Sequence, residues 1–193
     1  MSRAEFVMER PAPGVAADLA RLLFREEPTI TYVVLDGASV PGLRQRLHKD
    51  APESCCLYRG ELAPDLAEVA PYLVRLQIGH PFTKWVLSEG WAEHWGIFVQ
   101  TSADLRSLRR HFRNFLMVKN PEGKRLYFRF YDPRVLRLFL PTCDAQQLKV
   151  LFGPIDAYLC EADDPGQVLH WRLDGGTLKK QSLPLAPAGR ART

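Results

Sequence analysis

Four arginines, Arg106, Arg109, Arg110 and Arg113, fall within the single stretch SADLRSLRRHFRNFLMV, and none has an acidic residue four positions on to neutralise it. A guanidinium is a planar fork of donors that pairs bidentately with carboxylate or phosphate, so this cluster could contact an acidic partner or a phosphate group. The same stretch sets Leu105, Leu108, Phe112 and Phe115 at helical spacing. The arginines then line the rest of an amphipathic helix, and a solvated charged face is the ordinary reading of such a run. Both readings stand at the level of sequence.

The second charged group is Arg129, Asp132 and Arg134 in FRFYDPRV. Asp132 followed by Pro133 fits an N-cap and a first helical residue, and Arg129 has the placing of a strand cation that pairs internally with a carboxylate. No nucleophile or base accompanies them. His48, His80, His94, His111 and His170 are scattered, without the spacing of a metal pair, and no GxSxG, Walker loop or GxGxxG occurs. Cys55 or Cys56 could act as a nucleophile only with a depressed pKa, and nothing beside them would depress it. No catalytic residue, metal or cofactor is expected.

The elements that must carry these residues alternate along the chain. Helical spacing over 14–25 precedes a β-rich run at 29–37, a short helix LRQRLHKD and a strand at 53–60. A strand at 72–78, a helix at 82–91 and a strand at 95–101 follow. The helix at 103–116 carries the arginines, with Thr101 and Asp104 in the pattern of a capping box. A strand is expected at 125–131, with Leu126, Phe128 and Phe130 on one side and Tyr127, Arg129 and Tyr131 on the other. Helices at 133–141 and 144–152 stop at Gly153-Pro154, and segments 156–162, 168–173 and 177–183 read as a closing antiparallel set. The pattern predicts an α/β protein: a single domain with a mixed β-sheet flanked by helices and a small antiparallel C-terminal β piece. Its parts are a lead-in over 1–14, the domain over 15–183 and a tail over 184–193. Trp85, Trp91 and Trp95, with Phe82 and Phe98, read as core, although tryptophan is also a preferred interface anchor.

With 193 residues, 46% hydrophobic and 25% charged, the chain is long enough for one sizeable core and too apolar for global disorder. The net charge of +4 is mild, and Arg190 and Arg192 supply part of it, so a nucleic-acid partner is not expected. The 4 Cys lack zinc spacing, the N-terminus lacks a signal-type apolar run, and no stretch approaches membrane-spanning length. A reduced, cytoplasmic location without membrane insertion is expected.

Four segments, APYLVRLQ (70–77), GIFVQTSADLRSLRRHFRNFLMV (96–118), LYFRFYDPRVLRLFLP (126–141) and QLKVLFGPID (147–156), together resemble the bacterial type VI secretion adaptors, or effector chaperones, first catalogued as a domain of unknown function. The resemblance covers roughly residues 15 to 160. It implies a non-enzymatic cytoplasmic adaptor that binds a toxic effector and helps load it onto the trimeric valine-glycine-repeat spike, VgrG. The family motif falls on Pro71, Tyr72 and Leu73 and on Arg129, Phe130, Tyr131, Asp132, Pro133 and Arg134, positions to which no catalytic role is attached. Many members continue well beyond the corresponding β piece, so the resemblance implies contact with the effector, the spike, or both. The arginines of 103–116 are the expected partner contacts. The alternatives are a small enzyme with an unrecognised polar site and a weakly basic nucleic-acid-binding protein.

Overall fold

The computed structural model describes residues 14–25, 29–119 and 122–185. The expected lead-in over 1–14 and tail over 184–193 lie largely outside these residues. In chain order the elements are α1 (Val15–Leu23), β1 (Ile30–Asp36), α2 (Leu43–Asp50), β2 (Ser54–Cys56), α3 (Pro64–Glu68), β3 (Pro71–Arg75), α4 (Pro81–Glu89) and β4 (Gly96–Thr101). They continue with α5 (Leu105–Arg113), β5 (Met117–Lys119), β6 (Arg125–Tyr127), α6 (Pro133–Phe139), α7 (Ala145–Phe152), β7 (Ile155–Glu161), β8 (Gln167–Asp174) and β9 (Thr177–Pro184).

Seven strands form one sheet in the order β2-β3-β1-β4-β7-β8-β9, while β5 and β6 make a separate hairpin. The α/β body agrees with the sequence reading, and the pairing within the sheet is antiparallel throughout. The C-terminal strands are not a separate piece: β7 pairs with β4 and carries the main sheet onward through β8 to β9.

Side chains alternate across a strand, and here both faces are covered. Tyr32, Val34, Ile97, Val99, Tyr158 and Trp171 enter a core built with Leu108 and Phe112 of α5, Leu136 of α6, and Leu148 and Phe152 of α7. Val33, Leu35, Phe98, Ala157 and Leu159 enter the opposite core, with Leu19 and Leu23 of α1, Leu43 of α2, and Phe82, Val86 and Leu87 of α4. Burial on both faces is why TYVVL reads as a continuous apolar run rather than an alternating one. Trp85, Trp91 and Trp95 belong to this second core, with the Trp85 and Trp95 rings 4.8 Å apart.

Two local readings are corrected. The strand expected at 125–131 ends at Tyr127: Phe130 and Tyr131 are adjacent and both buried, which an alternating strand in a one-sided hairpin cannot provide. Asp104, not Thr101, caps α5. Its carboxylate accepts from the Ser107 amide at 2.7 Å, while the Thr101 hydroxyl donates to the Pro154 carbonyl at 2.5 Å and ties β4 to the start of β7.

Candidate partner-binding face

The arginines of α5 divide into two pairs. Arg109 and Arg113 lie partly buried along the edge strand β2. The Arg109 Nε donates to the Cys56 carbonyl at 3.2 Å. Arg113 donates from Nε to the Leu57 carbonyl at 2.9 Å, and from Nη2 to those of Tyr58 at 2.5 Å and Cys56 at 3.3 Å. Their charged donors thus satisfy backbone acceptors where β2 stops and the chain has no further strand to bond. Burial, reinforced by the neighbouring charges of Arg109 and Arg59, pulls the Arg113 pKa below its ordinary value. Arg106 and Arg110 point the other way: both are exposed and make no ion pair or hydrogen bond among the described residues. With the Ser107 amide, their charges hold the Asp104 carboxyl below the usual range.

The chain leaves α5 directly into the β5–β6 hairpin, whose register pairs Met117 with Tyr127, Val118 with Leu126 and Lys119 with Arg125. A two-stranded hairpin with no sheet to join buries little, and four of its apolar side chains remain uncovered. Tyr127 is 61% exposed, Met117 and Leu126 42%, and Val118 38%. Tyr58, whose carbonyl Arg113 holds, places its ring 5.4 Å from that of Tyr127. The inward arginines therefore fix the strand end that supports the hairpin, whose Met117 and Tyr127 lie on one face and Val118 and Leu126 on the other, and the outward arginines are carried by the helix that leads into it. Exposed apolar side chains, tyrosine and arginine are residue types that the centres and anchors of protein interfaces favour.

The family-type residues of the sequence reading converge on a structural clamp. Asp36, at the end of β1, is 1% exposed and accepts from the Ala38 amide at 3.1 Å and the Ser39 hydroxyl at 2.8 Å. Arg129 forms an ion pair with it and lies 3.8 Å from Asp132. Asp132 caps α6, accepting from the Arg134 amide and Nε, each at 3.0 Å, and from Arg134 Nη2 at 2.8 Å. Burial works to raise the Asp132 pKa, but the Arg134 hydrogen bonds and the two guanidinium charges outweigh it, and the net shift is downward. Gly37 completes the corner because a Cβ there would stand 2.5 Å from the carbonyl oxygens of Ala70 and Glu68. Tyr131 is buried and shares a hydroxyl hydrogen bond with Tyr58; burial raises its pKa. Tyr72 donates to the Ala67 carbonyl at 2.9 Å, Leu73 is fully buried in β3 opposite Val34, and Pro133 opens α6. Every charge in this corner faces an opposite charge or a donor, an arrangement that holds β1 to α6.

Sequence reasoning missed Asp36 and Glu161. Glu161, at the end of β7, is 3% exposed, accepts from the Ala92 amide at 2.6 Å and pairs with His94 Nδ1. Ala92 and His94 both take left-handed backbone, φ 70 and 56, to bring these groups inward. Burial raises the Glu161 pKa. The cysteines are the reverse of activated: burial lifts Cys55 to about 11 and raises Cys56. Among the described residues no group of three His, Cys, Asp or Glu side chains could hold a metal ion.

These features define a helix-covered antiparallel α/β protein that leaves an apolar hairpin and an arginine pair exposed. The chain matches, over residues 31–150, the family described as Domain of unknown function (DUF4123); the match spans more than half of it, and the chain belongs to that family. No curated protein and no solved structure matches it. No described helix is long and apolar enough to cross a membrane.

Proposed function

We propose that this protein is a non-enzymatic cytoplasmic adaptor that binds a type VI secretion effector and helps load it onto the VgrG spike. The observation that carries the reading is the exposure of the apolar hairpin residues Met117, Val118, Leu126 and Tyr127, together with that of Arg106 and Arg110 on the helix preceding it. Membership of the DUF4123 family and the sequence resemblance to effector chaperones support the same role. The effector is held by apolar anchors in the hairpin, and the arginines steer its acidic groups to the rim, which favours fast capture and release on loading. Co-expression of the tagged protein with type VI effectors and VgrG spikes of the same organism tests the reading. A stoichiometric complex that survives gel filtration is the expected result, together with loss of effector secretion when the gene is deleted. Effector export that continues at the parental level in the deletion strain contradicts it.

A further inference from the structure

The far edge of the sheet from β2 is closed by β9, an eight-residue strand. Its register with β8 runs unbroken from Asp174↔Thr177 to Gln167↔Pro184. The connecting residues Gly175 and Gly176 both have positive φ, 54 and 81, forming the two-residue hairpin loop whose flanking residues bond to each other. The Leu185 amide donates to the Gly166 carbonyl at 2.8 Å, so the same phase persists past the strand's end. In an antiparallel ladder successive residues alternate between facing the partner and facing away. The backbone groups of Thr177, Lys179, Gln181 and Leu183 thus point at β8, and those of Leu178, Lys180 and Ser182 point outward. Pro184 falls on the outward phase, where its missing N–H costs the ladder nothing. Among the described residues no strand pairs with this edge.

Natural sheets keep such edges short, bulged or covered; β9 is long and regular, and its guards are lysines. Lys179 and Lys180 lie on opposite faces of the strand, and Lys179 stands across from Arg172. From Gln167 to Leu185 the one carboxylate in the sequence is Asp174, and the charge of the edge strand itself is that of Lys179 and Lys180. That charge favours one of two occupants. A second copy of the chain, paired so that Leu178 meets Ser182, would set Lys180 opposite its own copy, and like charges directly opposite are destabilising. A strand with acidic side chains meets both lysines with opposite sign.

We propose that the β9 edge receives, by strand addition, an extended acidic segment of a partner protein. The segment bonds to the outward backbone groups of Leu178, Lys180 and Ser182, and its carboxylates face Lys179 and Lys180. This goes beyond the adaptor reading and does not depend on it, since the edge lies across the sheet from β2 and α5.

The test is amide hydrogen exchange of the full-length protein with two synthetic peptides of valine and threonine, one carrying adjacent glutamate pairs so that each strand face bears a carboxylate and one carrying lysine pairs in their place. The glutamate peptide is expected to slow exchange at Leu178, Lys180 and Ser182 and leave Lys179, Gln181 and Leu183, already bonded to β8, unchanged. The protection is expected to be lost in Lys180→Pro, which removes an outward donor only, and in the folded double variant Lys179→Glu/Lys180→Glu. Equal protection by the lysine peptide overturns the charge argument. Protection that grows with protein concentration and needs no peptide assigns the edge to self-pairing and overturns the proposal. Unchanged exchange with either peptide also overturns it and leaves the lysines as guards of a solvated edge.

Discussion

The guanidinium of Arg113 sits 2.9 Å from the carbonyl oxygen of Leu57, across the gap between α5 and the end of β2. An arginine that the sequence puts on the polar face of a helix is thereby part of the scaffold. It closes backbone acceptors that would otherwise face the helix unpaired, and through Tyr58 it underlies the exposed hairpin.

Arg113→Met is accordingly expected to destabilise the fold by about 1–3 kcal/mol, the cost of stranding partly buried acceptors. Urea titration checks it. An unchanged midpoint would show that water replaces the guanidinium at no cost, and would free Arg113 for a role at the surface.

Asp132→Ala removes the α6 cap together with its Arg134 and Arg129 contacts. Loss of the cap alone costs about 0.5–2 kcal/mol. Thermal melting should show a loss at or above the top of that range, with partner capture reduced only in proportion to unfolding. A variant that melts like the parent yet no longer binds would make Asp132 a contact residue.

Arg129→Met leaves Asp36 buried beside Ser39 without its cation. Removing one partner of a buried pair costs about 3–5 kcal/mol, and the loss here should be smaller because Arg129 is 44% exposed. The double variant Asp36→Asn/Arg129→Met should recover part of the loss. A double-mutant cycle with no coupling would sever the link between β1 and α6.

Mild acid should weaken the fold through His111. Its Nε2–H donates to the Leu151 carbonyl at 2.9 Å, joining α5 to α7, and burial holds its pKa below the ordinary value. A base with a depressed folded pKa adds stability that is full above its unfolded value, about 6.5, and is lost as pH falls through the folded one. Stability should therefore decline below about pH 6.5, and His111→Gln should flatten that slope. An identical slope in the variant would place the titration elsewhere.

Much of this was legible in the sequence, for reasons that differ element by element. β1 and α2 fall where TITYVVLDG and LRQRLHKD put them, because a continuous apolar run and a Pro-Gly entry are strong local signals. The Asp132-Pro133 cap was readable because a cap depends on neighbours in the chain. The end of β6 was not. Alternation through Phe128 and Arg129 is genuine in the letters, but Phe130 is drawn against Phe112, with ring centroids 5.1 Å apart, and the core overrides the period. The split of the arginines was invisible for the same reason: helical spacing gives the face, while the acceptors on Cys56, Leu57 and Tyr58 come from a strand end more than fifty residues away. Asp36 and Glu161 were missed because each looks like an ordinary strand-end carboxylate until Arg129 and His94 arrive from other elements.

In the proposed function the hairpin and the outward arginines bind the effector. Isothermal titration of the purified effector into Arg106→Glu/Arg110→Glu and into Tyr127→Ser, each first shown to melt like the parent, tests it most directly. The arginine variant is expected to bind more weakly, with a reduced salt dependence. Tyr127→Ser is expected to lose at least about 2 kcal/mol, the mark of an anchor residue. Two folded variants that bind the effector with parental affinity would contradict it.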